Sequence, residues 1–236
     1  MILQWHTYLS VMFDGRSCRF CVAAVLLLAM SGIALGGGGI SEGPSGQFVE
    51  IQDEVDPHAH HQHMMQRKDY SRSEYTYVLP DLPLVAADGE KTSLLDEVNT
   101  GEPVMLNFIF TTCTTICPVL SASFSQVQQQ LGAERDQVRM VSITIDPEHD
   151  TPARLRAYAA RYHAGSQWQF LTGNLDDIMS IQKAFGAFRG TKVNHEPFTF
   201  LRATPASPWV RLDGLASAAD IVKEYRQLVA DQGAVP

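Results

Sequence analysis

The stretch Val104-Met-Leu-Asn-Phe-Ile-Phe110, followed closely by Cys113-Thr-Thr-Ile-Cys117-Pro118, decides the fold. From Val104 to Phe110 the chain is apolar on both faces except at Asn107, the pattern of a central strand covered from both sides. Pro118 sits where proline favours a first helical turn. Leu120, Phe124, Val127 and Leu131 then recur at helical spacing until Gly132 stops the helix. Cys113 and Cys117 therefore stand between the end of a buried strand and the start of a helix. A helix N-terminus holds a thiolate in its charged form through its dipole and its free N–H groups. Such a pair can bind a soft metal, form a reversible disulfide, or both.

Outward from this point, strands and helices alternate. Val138 to Asp146 reads as a second buried strand, and Thr151-Pro152 opens a helix with Leu155, Tyr158, Ala159 and Tyr162 on one face. Trp168 to Leu171 is a short strand, and Asn174 caps a helix that turns Leu175, Ile178, Met179 and Phe185 inward. Phe198 to Leu201 and Trp209 to Leu212 form an antiparallel pair around Pro205 and Pro208. Ser217 to Asp220 starts a last helix with Ile221, Val222, Tyr225 and Leu228 buried. Upstream, Leu79 to Leu84 and the turn Asp88-Gly89 suggest a hairpin, after which Thr92 or Ser93 caps a short helical turn through Val98. The expected class is α/β. Cysteines at the first strand-to-helix crossing make it a thioredoxin-like fold, a central mixed sheet flanked by helices with an N-terminal hairpin extension, over residues 75–236.

Composition bounds the rest. The chain has 236 residues, 45% of them hydrophobic, enough for one packed domain with appendages. A formal charge of −8 excludes nucleic acid as the natural partner, since phosphate binding needs a basic face. Residues 1–40 read as a signal peptide or membrane anchor: Arg16 and Arg19 precede an apolar run from Phe20 to Leu35. That charge order sends the rest of the chain out, to a periplasmic or other extracytoplasmic space. Cys18 and Cys21 lie inside this leader, with no preceding strand, and are read as apolar-tolerant residues of a targeting segment. Residues 41–74 read as a flexible tether. Inside it His58, His60, His61, His63, Met64 and Met65 supply imidazole and thioether donors, both suited to copper; the alternative is a solvated polar linker.

Three residues separate Cys113 from Cys117, one more than in thioredoxin-type enzymes. In a regular helix, positions four apart have Cβ atoms ~5–6 Å from one another, whereas a relaxed disulfide wants ~3.8 Å. The spacing thus suits two thiolates converging on one ion, without excluding disulfide exchange. A histidine would complete a set of two sulfurs and one nitrogen, which suits copper in either oxidation state. His195, on a connection entering a strand, is the candidate; His149 and His163 sit at helix ends.

These residues resemble the Sco/SenC family of copper chaperones in cytochrome oxidase assembly. The resemblance rests on Phe108 to Pro118, on Ser142-Ile-Thr-Ile-Asp146-Pro147-Glu-His-Asp150-Thr151-Pro152, on Phe170-Leu-Thr-Gly173 and on the His195 loop. It implies copper as the bound ion, Cys113, Cys117 and His195 as its ligands, and delivery to the binuclear copper centre of an oxidase subunit or to another copper chaperone. It also implies a membrane-tethered or exported topology. The family often has Asp before the ligand histidine where this chain has Asn194, and Arg202 to Pro208 replaces a tight hairpin. Asn194 and Asp146 are the expected supporting residues: Asn194 to orient the imidazole, Asp146 to hold the cysteine loop or cap the turn to Pro152. A thiol-disulfide reductase, with Cys113 attacking and Cys117 resolving, is the competing reading. A peroxidase fits the cysteine context less well.

Overall fold

The computed structural model describes residues 69–233; the leader, and the tether up to Lys68 with its histidines and methionines, lie outside the described residues. An eight-stranded sheet has the order β1-β8-β7-β4-β5-β6-β2-β3. Its strands are β1 (Tyr70–Tyr75), β2 (Pro83–Ala86), β3 (Lys91–Ser93), β4 (Val104–Ile109), β5 (Arg139–Thr144), β6 (Trp168–Thr172), β7 (Phe198–Arg202) and β8 (Trp209–Gly214). The helices are α1 (Leu94–Val98), α2 (Ile116–Leu131), α3 (Pro152–Arg161), α4 (Leu175–Ala184) and α5 (Ala218–Gly233). Parallel pairing joins β4 to β5 and β5 to β6, and all other pairs are antiparallel. This is the expected thioredoxin-like arrangement.

Strand β4 is central because it can be buried on both faces, and every one of its residues is. Met105 and Ile109 join the layer made with α2 and α5, while Leu106 and Phe108 join the layer under α1 and α4. The exception, Asn107, is met sideways at its carbonyl oxygen, while its Nδ2 stays buried without a partner: Ser142 Oγ donates to Oδ1 at 2.7 Å and accepts from Trp168 Nε1 at 2.9 Å. That polar thread crosses β4, β5 and β6.

The expected helix starts hold. Ser93, rather than Thr92, caps α1 by accepting from Asp96 N–H; Thr151 caps α3 and Asn174 caps α4 in the same way. Ser217 Oγ accepts from Asp220 N–H and donates to the Asp220 carboxylate at the start of α5. The β2–β3 hairpin is present, closed through Gly89 at φ 98°.

Three expectations need correction. The fold begins before residue 75: β1 lies within the span read as tether and pairs with β8 from Tyr70↔Gly214 to Tyr75↔Trp209. An edge strand with one face in solvent needs few apolar residues, and β1 buries only Tyr70. It is fixed instead by polar contacts to α5, Arg72 Nε donating to Glu224 at 2.8 Å and Tyr70 Oη at 3.4 Å. On α4, Leu175 is 40% exposed, and Ile181 takes the inward position with Ile178. Leu228, near the end of α5, is half-buried.

Candidate metal centre

Cys113 and Cys117 are both free thiols, the first half-buried and the second buried. Helix α2 starts at Ile116, so Cys113 lies in the turn before the helix rather than one helical turn behind Cys117. The spacing argument from a regular helix therefore does not apply. The turn is already bent, and Cys117 N–H points at Cys113 Sγ at 3.4 Å. Thr115 Oγ1 stands 3.6 Å from the same sulfur.

The two thiols are electrostatically unequal. Burial alone would raise the Cys113 thiol, but the N–H groups of Cys117 and Thr115, with their side chains, outweigh it and bring it below the usual thiol range. Burial pushes Cys117 well above that range despite a backbone hydrogen bond at Phe110, and the nearby Cys113 and Asp150 add to the rise. Beneath Cys117, Tyr158 Oη is hydrogen-bonded with Ser121 Oγ at 2.8 Å and donates to the Cys117 carbonyl at 3.4 Å.

Asp150 holds the cysteine turn. Its fully buried carboxylate accepts from Thr111 N–H at 3.0 Å, from Thr111 Oγ1 and from Thr144 Oγ1 at 2.6 Å. Residue 111 is thereby fixed two positions before Cys113. This was the role expected of Asp146, and the cap expected of Asp146 belongs to Thr151. The signal for Asp150 was present in the Asp150-Thr151-Pro152 run, but a sequence does not say which of two nearby aspartates turns inward. Asp146 instead pairs with Lys192 Nζ at 2.5 Å, joining the end of β5 to the segment that carries His195.

His195 follows the short 3-10 turn Lys192–Asn194. Strand β7 pairs with β4 as far as Thr199↔Asn107. Pro197 has no N–H with which to extend the ladder. At this end of β4 the imidazole takes over: His195 Nε2 is 3.0 Å from the Phe108 carbonyl, and the ring meets Phe110 edge-on at 6.1 Å between centroids. A carbonyl can only accept, so Nε2 carries the proton. Burial lowers the imidazole pKa, against the raising effects of the Phe108 hydrogen bond and Glu196. The neutral ring therefore presents its lone pair at Nδ1. Asn194 donates to Arg189 O at 3.5 Å, closing its own loop rather than bonding to the imidazole. Glu196 pairs with Arg189 at 2.5 Å.

Cys113 and His195 thus lie at one end of the sheet, with Phe110 between them: its ring meets the imidazole and its carbonyl accepts from Cys113 N–H at 3.2 Å. As placed, no group of three His, Cys, Asp or Glu side chains among the described residues is close enough to hold an ion. The donor types, two sulfurs and an imidazole nitrogen, fit copper; their convergence requires a change in their relative placement.

Fold and site together define a thioredoxin-like protein with a dithiol at the first strand-to-helix turn. The SCO1/SenC family model matches residues 73–230, more than half of the chain, and the chain belongs to that family. A SCO1 protein homolog of Bacillus subtilis (strain 168) is 44% identical over 87 residues, which cover 36% of this chain and 44% of the relative. A mitochondrial SCO2 homolog of Bos taurus is 34% identical over 90 residues, 37% of this chain and 33% of the relative. The chain thus spans less than half the length of either curated relative. Among solved structures, BsSco, described as a member of the Sco family of cytochrome c oxidase assembly proteins with a disulfide switch, superposes with a TM-score of 0.58 at 29% identity, covering 67% of this chain and 96% of BsSco. Arabidopsis thaliana ScoI, solved with copper bound, superposes with a TM-score of 0.56 at 20% identity over 65% of this chain and 99% of its own, a likeness of fold.

Proposed function

We propose that this chain is an extracytoplasmic copper carrier that binds the ion through Cys113, Cys117 and His195 and delivers it to the binuclear copper centre of an oxidase or to another carrier. The observation that carries the reading is the shared sheet end: a dithiol turn pinned beside Phe110, and a neutral imidazole against the same residue with Nδ1 free to bind. Family membership and the copper-bound Arabidopsis relative support it. Copper binding takes the Cys117 proton, which burial otherwise retains, so affinity rises with pH. Delivery proceeds by ligand exchange, one donor of the recipient entering as one donor of this site leaves. Among the described residues no helix is long and apolar enough to cross a membrane; membrane attachment, if the leader is retained, rests with residues 1–40.

A second reading, a thiol-disulfide reductase that keeps a partner's metal-binding cysteines reduced, is favoured by the inequality of the thiols. The Cys113 thiolate attacks the partner disulfide and expels one partner thiolate. Cys117 then attacks Cys113 sulfur, gives up its proton and expels the second. Two electrons pass to the partner, and a Cys113–Cys117 disulfide is left.

His195 separates the readings. With Cu(II), the protein should show a sulfur-to-copper charge-transfer absorption that Cys113→Ala, Cys117→Ala and His195→Ala each abolish. Disulfide exchange should survive His195→Ala alone. A His195→Ala protein with an unchanged absorption and affinity would overturn the ligand assignment.

A further inference from the structure

A cavity of about 460 Å³ opens at the carboxyl end of β6, separated from the cysteine turn of β4 by β5. Ligand pockets commonly measure ~300–1,000 Å³. Pro83, Leu84 and Val85 of β2, with Pro147 and Pro152, make its walls mainly apolar. Two of these walls are tied together: Arg156 on α3 donates from Nη1 to Ala87 O, in the turn after β2, at 3.0 Å. The cavity is therefore built into the fold rather than opened by a loose loop.

Strand register sets two polar groups on its floor. Val85 stands opposite both Lys91 of β3 and Thr172 of β6. Directly opposed residues share a face, and all three line the cavity. Phe170, two positions before Thr172 and on the same face, packs in the layer of Leu155 and Tyr158, so this is the face that α3 covers. Thr172 is 5% exposed, and its Oγ1 has no hydrogen-bond partner among the described residues. A buried hydroxyl left unmatched is costly, and native folds keep few of them. The other polar side chains of the lining are engaged: Thr92 donates to Glu97 at 2.9 Å, and Thr151 and Asn174 cap helices.

The charge at this cavity has one sign. Lys91 is its one charged lining side chain and forms no ion pair with another described residue. Asp81 and Asp96 border a separate shallow hollow that Lys91 also touches, outside this cavity. Helix α3 begins at the cavity with Thr151 and Pro152, and its first turn holds no acidic residue, so the positive end of its dipole is uncompensated there. One cation, one helix end and one unmatched hydroxyl among apolar walls match a single negative charge on an apolar body. A dianion would bring a second charge with no partner, which burial penalises.

We infer that this cavity binds a small monocarboxylate with an apolar body, its carboxylate held between Lys91 Nζ and Thr172 Oγ1 and its body against Val85 and the prolines. Lys91 and Thr172 stand two strand spacings apart, about 10 Å between their Cα atoms. The four-carbon lysine stem covers part of that gap, and the carboxylate covers the rest. The threonine hydroxyl donates to the carboxylate and so gains the partner it lacks. The site is independent of the copper reading, since Cys113, Cys117 and His195 do not line it.

The test uses the full chain in a neutral maltoside detergent, with para-trifluoromethylbenzoate as the probe and fluorine NMR line width as the readout of binding. The wild type should bind the probe saturably, and should bind the uncharged para-trifluoromethylbenzamide at least about tenfold more weakly. Lys91→Met should weaken benzoate binding about tenfold or more, and Thr172→Val about fivefold. Thr172→Val should also unfold at the same or a higher urea concentration than the wild type without probe, because a methyl group suits the place of an unmatched hydroxyl. Loss of affinity with no loss of stability is a signature that a purely structural threonine would not give. A Thr172→Val protein that unfolds at lower urea overturns the role of that hydroxyl as a ligand donor. Absence of saturable binding, equal binding of the amide, or full affinity in Lys91→Met each overturns the site.

Discussion

The turn that carries Cys113 and the segment that carries His195 lie at the same end of the sheet, yet opposite kinds of force hold them. Behind the cysteines is Asp150, fully buried and accepting from three donors of two strand ends. Around the histidine are ion pairs at the surface, each half open to solvent: Lys192 is 46% exposed against Asp146 at 12%, and Glu196 is 52% exposed against Arg189 at 31%. Buried hydrogen bonds are costly to break because the abandoned groups cannot turn to solvent. Exposed pairs contribute little and yield easily. The dithiol is thus a fixed half of the proposed centre and the imidazole a movable half, which suits a proposed site whose three donors do not converge as placed.

The largest effect should come from the buried anchor. Asp150→Ala leaves the Thr111 and Thr144 donors unmatched and should cost about 3–5 kcal/mol in urea unfolding. Asp146→Ala should cost less than about 1 kcal/mol. Equal costs would break the contrast.

Within the fixed half, the two sulfurs should differ in reactivity. As pH rises Cys113 ionises first, so its alkylation by iodoacetamide should climb and level off below the ordinary thiol range near ~8.5. Cys117 should stay unlabelled at a pH where Cys113 reacts fully, as peptide mass analysis of labelled protein would show. Simultaneous labelling of both would mean that the turn opens more readily than its anchor implies.

On the movable half, Lys192→Met and Asp146→Asn should each change stability by less than about 1 kcal/mol. Each should also speed copper loss severalfold in stopped-flow competition. The double variant should do no more than either single change, because both remove one contact. The smallest effect is that of salt. Raising ionic strength from 0.1 to 1 M shortens the screening length from about 10 to about 3 Å. That should modestly speed copper loss from the wild type and leave the Lys192→Met protein nearly unaffected.

Much of this was legible in the chain. The run of β4, apolar but for Asn107, the helix starts at Ser93, Thr151 and Asn174, and the cysteine turn have local signatures that tertiary contacts only reinforce. Strand β1 was not legible, since its stability comes from β8 and from Glu224, more than 150 residues away. Nor was the exchange of roles between Asp146 and Asp150. Both aspartates lie in the same eleven-residue run, and only the packed β4–β5 end determines which one points into the core. The lone-pair nitrogen of His195 depended on the Phe108 carbonyl, a partner 87 positions away.

That carbonyl contact ties chemistry to sheet registry. The imidazole acts as the closing rung of β4, where a proline has ended the ladder of main-chain bonds. Its aim is therefore set by how many residues lie between His195 and the first paired position of β7. A single residue inserted there would rotate the ring away from Phe108 and leave every strand otherwise intact. Such a protein would fold, keep both thiols in place, and lose the one nitrogen that the proposed copper site adds to a plain dithiol.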